Sequence, residues 1–96
     1  MNESQKRFGE ALFDLLRDED AYLTSGGRVN LRAFAAEVEM FPYQTLRRAT
    51  VGARPASVEL MQECARVLRV RPEYFAEYRA EQARRPRGSE SRPAAA

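Results

Sequence analysis

Apolar residues recur at helical rather than strand spacing through most of the chain. Phe8, Leu12, Leu15 and Leu16 fall on one side of a helix, with Glu10, Asp14 and Arg17 on the other. Asp18-Glu19-Asp20 follows, which is the wrong sign of charge for a helix C-terminus. This first helix is therefore expected to stop near Asp18, or to continue irregularly to Leu23. Thr24-Ser25-Gly26-Gly27 reads as a loop. Asn30 is a good N-cap for a second helix, Leu31 to about Glu39, with a buried stripe of Leu31, Phe34, Ala35 and Val38. Proline restricts the residue before it and is tolerated in a first helical turn, so a break is expected at Met40-Phe41. The third helix then runs from Pro42 to about Thr50 and ends at Gly52. Ser57 caps a fourth, whose stripe is Val58, Met61, Cys64, Ala65 and Leu68. Val70-Arg71-Pro72 breaks the chain again, and a fifth helix starting at Pro72 or Glu73 carries Phe75 and Tyr78.

No alternating β-branched run argues for a sheet. The pattern predicts a compact all-α domain of five short helices, residues 1–85. Residues 86–96, from Pro86 to Ala96, hold no large apolar side chain. They cannot bury enough surface to offset the entropy of ordering, so a disordered tail is expected there.

Composition narrows the function. The chain has no His, removing the commonest general base and metal ligand, and one Cys, excluding an intrachain disulfide or a thiolate zinc cluster. No apolar run follows Met1-Asn2-Glu3-Ser4-Gln5, so no secretory signal is read and a cytoplasmic protein is expected. No Gly-rich phosphate loop is present, and no nucleophile is paired with a base. The reading is a binding protein without cofactor or metal, not an enzyme. Cys64 and Met61 on the fourth stripe read as core, as does Phe75. Tyr74 and Tyr78 suit either the core or a subunit interface.

The net charge of +2 is uninformative until it is divided along the chain. Residues 1–40 carry five basic and eight acidic side chains, residues 41–71 six and two, and residues 72–96 five and four. The positive charge thus centres on the third helix and the loop after it, which favours a polyanionic partner. On that helix Leu46 and Ala49 share the inner face, while Tyr43, Gln44, Arg47 and Arg48 recur on the outer face at i, i+1, i+4, i+5. The outer face has no acid and no aliphatic residue. Arg suits guanine, Gln suits adenine, and Tyr and a helix N-terminus suit phosphate. For Arg28, Arg32 and Arg54, surface charge and phosphate contact are equally open.

Val29-Asn30-Leu31-Arg32-Ala33-Phe34-Ala35-Ala36-Glu37-Val38, followed by Phe41-Pro42-Tyr43-Gln44-Thr45-Leu46-Arg47-Arg48 and then Gly52, resembles the helix-turn-helix of Cro- and phage-repressor-like transcription regulators, the xenobiotic-response-element family. Arg54-Pro55-Ala56-Ser57 matches the loop before the family's fourth helix. Ala65-Arg66-Val67-Leu68-Arg69-Val70-Arg71-Pro72-Glu73-Tyr74-Phe75 matches its Ala-x-x-Leu-Gly-Val-x-Pro-x-x-Phe ending. The resemblance covers roughly residues 8 to 78. The sequence departs from the family at Leu31, where a phosphate-clamping Gln is usual, so that Arg32 or Arg28 would supply that contact. It also departs at Glu39 and Arg69, where Gly is usual, at Thr50, where an acid is usual, and in a slightly longer turn at Met40-Phe41.

The resemblance implies a lambda-repressor-like fold that places the third helix in the major groove of double-stranded DNA while the second crosses the backbone. It implies a sequence-specific regulator, of repressor type, acting as a homodimer. The residues it would bring to DNA are Arg28, Asn30, Arg32, Pro42, Tyr43, Gln44, Thr45, Arg47, Arg48 and Arg54. A dimer contact through Tyr74 and Tyr78, and a protein partner for the tail, are further expectations. Two alternatives keep the fold: an antitoxin whose tail folds on a toxin, motivated by size and tail, and a protein-interaction adaptor without DNA binding, motivated by the acidic first 40 residues.

Overall fold

Helices α1 (Phe8–Arg17), α2 (Leu31–Glu37), α3 (Tyr43–Thr50), α4 (Val58–Leu68) and α5 (Ala76–Arg84) form the architecture of the computed structural model, which describes residues 3–84. The fold is all-α and compact, and among the described residues there is no strand. The expected tail, residues 86–96, lies outside the described residues. No described helix is long and apolar enough to cross a membrane.

Each helix buries the side of its stripe that the spacing indicates. Phe8, Ala11, Leu12, Leu15 and Leu16 from α1, Phe34 from α2, Leu46 and Ala49 from α3, and Met61, Cys64 and Ala65 from α4 meet in one core. Phe75 closes it, with its ring centroid 5.0 Å from that of Phe8, joining the two ends of the fold. Such an aromatic pair adds about 0.5–1.5 kcal/mol beyond the area it buries. On α4 the stripe is shifted: Leu60 is fully buried, while Val58 and Leu68 are half-buried. Tyr78 is also core, only 7% exposed, and its hydroxyl accepts a hydrogen bond from Gln62 Nε2 at 3.4 Å.

The first helix ends beside Asp18 as expected, while several other boundaries differ from the sequence expectation, each for a local reason. The first helix stops at Arg17, where the N–H groups of Asp18 and Glu19 turn back to the carbonyls of Leu15 and Leu16 respectively. A 3-10 turn at Asp20–Tyr22 follows, and an antiparallel bridge then pairs Leu23 with Val29. This small hairpin is closed by Thr24 N–H to the Arg28 carbonyl (2.7 Å) and Asn30 N–H to the Tyr22 carbonyl (2.7 Å). Tyr22 meets Phe34 edge to face at 5.2 Å, so the hairpin docks on α2. Helix α2 ends at Glu37 rather than Glu39, because Val38 leaves helical geometry (φ −90°, ψ 87°) as its side chain enters the core. Pro42 is the N-cap of α3, extended at ψ 162°, and not its first helical residue. The last helix starts at Ala76 rather than at Pro72 or Glu73. Pro72–Tyr74 forms a separate 3-10 turn, and extended Phe75 (ψ 126°) divides the two.

Two backbone features set the position of α3. Gly9 on α1 lies against Thr50 so closely that a Cβ at Gly9 would be 2.0 Å from the Thr50 carbonyl oxygen. Gly52 adopts φ 84° just after α3, a left-handed geometry that glycine adopts without strain. The equivalent place after α4 is held by Arg69, at φ 61° and ψ 38°.

Candidate nucleic-acid interface

Helix α3 packs against both α1 and α2. Leu46 is fully buried and Ala49 7% exposed, which pins the inner face and turns the other side of a short helix to solvent. Gln44, Thr45, Arg47 and Arg48 are exposed, and Tyr43 is half-buried at the start of the helix. Pro42 makes no side-chain cap, and among the described residues no side chain accepts from the first-turn N–H groups of α3. They are available to an anion.

The cations divide into two sets. Lys6, Arg17, Arg66, Arg71, Arg79 and Arg84 each make an ion pair. The side chains of Arg7, Arg28, Arg32, Arg47, Arg48, Arg54 and Arg69 make no ion pair or hydrogen bond among the described residues. Arg47 and Arg48 lie on α3, Arg32 in the first turn of α2, Arg28 in the hairpin before α2, and Arg54 in the loop after α3. Unpaired guanidinium groups on and around one helix form a surface with charge to offer an outside partner.

Arg32 has a different kind of contact. Its Cζ lies 4.1 Å from the centroid of the Tyr43 ring, a cation–π stack between the N-terminal ends of α2 and α3. Asn30 has a local role: its side-chain oxygen accepts from the Ala33 N–H at 3.2 Å and caps α2. Pro42 likewise serves the backbone, its carbonyl accepting from the Leu46 N–H at 3.2 Å. These two residues position the interface rather than extend from it.

Two groups not singled out from the sequence border the same surface. Arg7, far away in the chain, brings Nη1 to 3.8 Å from where a Cβ of Gly52 would sit. Together with Arg54 it lines an open groove of about 920 Å³ that runs between α1, the α3–α4 loop, the start of α4 and α5. Met40 and Val51, 66% and 60% exposed, are the large apolar side chains left in solvent among the described residues, and they flank α3 on either side in sequence. Exposure of a large apolar residue is a sequence-legible signal only once the turn geometry is known.

Glu63 and Cys64, adjacent on α4, are both shifted by their surroundings. Glu63 sits on α4 with a bidentate partner, Arg66 donating from Nε (3.1 Å) and Nη2 (2.6 Å). These hydrogen bonds hold the Glu63 carboxyl below its ordinary pKa. Burial pushes the Cys64 thiol up to about 12, which suits an inert core residue. Among the described residues, no group of three or more His, Cys, Asp or Glu side chains is placed to hold a metal ion. Tyr74 is half-buried, edge-on to Phe75 at 5.4 Å. Of the two readings open for this pair, Tyr78 takes the core one, while Tyr74 keeps part of its surface in solvent.

The fold and this surface define an all-helical domain with a cationic, acid-free helix face. No protein-family model, curated protein or solved structure matches the chain.

Proposed function

We propose that this chain is a sequence-specific DNA-binding transcription regulator that reads the major groove with α3. The observation that carries the reading is the outward face of α3, where Gln44, Arg47 and Arg48 are exposed and both arginines are without a carboxylate partner among the described residues. A helix with its side chains is about 10–12 Å across, close to the roughly 12 Å width of the major groove. Arg47 and Arg48 carry the planar forks that guanine O6 and N7 accept, and Gln44 the amide that pairs with adenine. Tyr43 and Thr45 stand at the N-terminal end of the same helix. Arg28, Arg32 and Arg54, from the elements either side of α3, supply phosphate contacts that fix register without reading sequence. Met40 and Val51 add apolar surface suited to thymine methyl groups.

The repressor sense, and the pairing of two copies on a two-fold-symmetric site, come from the resemblance of the helix-turn-helix segment. With a net charge of only +2, non-specific affinity is modest, and specificity rests on α3 used twice. A gel-shift titration against mixed-sequence duplex at low salt tests the reading. Binding that weakens steeply with salt supports it, as does its loss in an Arg47→Ala, Arg48→Ala double variant that remains folded. Absence of binding at low salt overturns it in favour of a protein-interaction role on the same fold.

A further inference from the structure

We propose that Arg32 and Tyr43 act as one unit: the Tyr43 ring holds the Arg32 guanidinium in place to grip a backbone phosphate of duplex DNA. The proposal rests on the DNA-binding reading of α3 and assigns each residue a distinct part in it.

The stack is the starting observation, with Arg32 Cζ 4.1 Å from the Tyr43 centroid. Arg32 comes from the first turn of α2 and Tyr43 is the first residue of α3, so the contact joins the two helices at their N-terminal ends. All five guanidinium N–H groups lie in the plane of the group. A guanidinium held over the ring spends no hydrogen-bond acceptor there, so its N–H donors remain for an outside one. Those donors have no acceptor among the described residues, and Arg32 is exposed. A fixed fork with free donors matches two oxygens of one phosphate.

Ordering explains why the ring matters. A free arginine side chain gives up rotamer freedom when it binds a phosphate. A stacked one has given up much of it before the ligand arrives. Tyr43 is therefore a positioning residue, acting through Arg32, and its ring rather than its hydroxyl carries the effect. The other unpaired arginines of the surface, Arg28, Arg47, Arg48 and Arg54, have no such shelf. Because the contact is to phosphate, it operates on any duplex and can be measured without knowing an operator.

The test is fluorescence anisotropy of a labelled mixed-sequence duplex, titrated with the full chain over a range of NaCl concentrations. Variants are Arg32→Gln, Tyr43→Leu, Tyr43→Phe, the Arg32→Gln/Tyr43→Leu double, and Arg47→Ala/Arg48→Ala, each checked by circular dichroism for an unchanged helical spectrum. Arg32→Gln is expected to weaken binding and lower the salt slope by about 1. Tyr43→Leu is expected to weaken it by about two- to five-fold, and Tyr43→Phe, which keeps the ring, to weaken it less than Tyr43→Leu does. The Arg32→Gln/Tyr43→Leu double is expected to be no weaker than Arg32→Gln alone. The proposal is overturned if Tyr43→Leu costs as much in the Arg32→Gln background as in the natural one. An unchanged salt slope in Arg32→Gln, or a loss in Tyr43→Phe equal to that in Tyr43→Leu, also overturns it. If Arg47→Ala/Arg48→Ala weakens binding while the Arg32–Tyr43 pair shows no coupling, the DNA-binding reading stands and this proposal alone fails. No binding by the natural chain removes both.

Discussion

Replacing Gly9 with Ala separates helix propensity from helix packing. Gly9 lies in the first turn of α1, where alanine is intrinsically favoured by up to about 1 kcal/mol. Propensity alone therefore predicts a more stable protein. The surroundings predict the opposite. The new Cβ would lie 2.0 Å from the Thr50 carbonyl oxygen, 2.8 Å from its carbon and 2.9 Å from its Cα. The first distance is about 1.4 Å short of the 3.4 Å at which ordinary contact begins. All three atoms are backbone, so no rotamer change relieves the overlap. Helices α1 and α3 must move apart instead, disturbing Leu46 and Ala49 as they go. Overpacking of this kind costs about 1–3 kcal/mol, and a backbone clash belongs at the upper end. The net expectation is a loss of about 1–2 kcal/mol after the propensity gain. In a domain of this size each kcal/mol lowers Tm by about 4–8 °C. Urea and thermal unfolding followed by circular dichroism at 222 nm measure both. DNA affinity should fall with stability, because α3 is the element displaced. A Gly9→Ala variant as stable as the natural protein, or more so, would refute the close approach of α1 and α3 on which the position of the binding face depends.

Other perturbations test separate parts of the structure. Arg69 holds a left-handed conformation that costs an L-residue about 1–2 kcal/mol. Arg69→Gly should raise stability by up to about 1 kcal/mol once glycine's greater unfolded-state freedom is counted, and urea unfolding showing a decrease would contradict this. Asn30→Ala removes the cap on the Ala33 N–H and should cost about 1 kcal/mol. Asn30→Ser should recover most of it, whereas a loss of DNA affinity with no change in unfolding midpoint would assign Asn30 a direct contact instead. Glu63 has a folded pKa below its unfolded one, so its contribution is complete above the ordinary glutamate pKa of about 4.3 and is lost as pH falls from there through the folded value. Glu63→Gln should flatten that acid limb in unfolding experiments run across pH, and an unchanged limb would show the Arg66 pairing to be without weight.

Amphipathic periodicity made most of the fold legible, because each helix is short and buries one stripe. Phe34 in α2, Leu46 in α3 and Cys64 in α4 fall inside as their spacing requires. Pro42 and Gly52 marked the ends of α3 because their chemistry is local. The outward direction of Gln44, Arg47 and Arg48 followed from the same periodicity. What the pattern did not carry depends on contacts between segments distant in sequence. Gly9 reads as a weak point in a helix until Thr50 is placed against it. The Arg32–Tyr43 stack depends on the angle between α2 and α3, and the approach of Arg7 to Gly52 on the docking of α1. The Leu23–Val29 bridge spans too few residues to show strand alternation. Leu60 was missed because α4 is covered on more than one side, so its buried arc is wider than a single stripe. Arg69 shows the reverse case, in which a position where glycine is usual keeps the left-handed geometry with another residue in place.

The most direct test of DNA reading by α3 is selection of bound duplexes from a random pool, run in parallel with the natural chain and the Arg47→Ala/Arg48→Ala variant. The natural chain should enrich one motif repeated with two-fold symmetry, its half-sites about one helical turn or a multiple of it apart, and the variant should fail to enrich that motif. A natural chain that returns a pool without sequence preference, or a variant that enriches the same motif as strongly, would contradict the assignment.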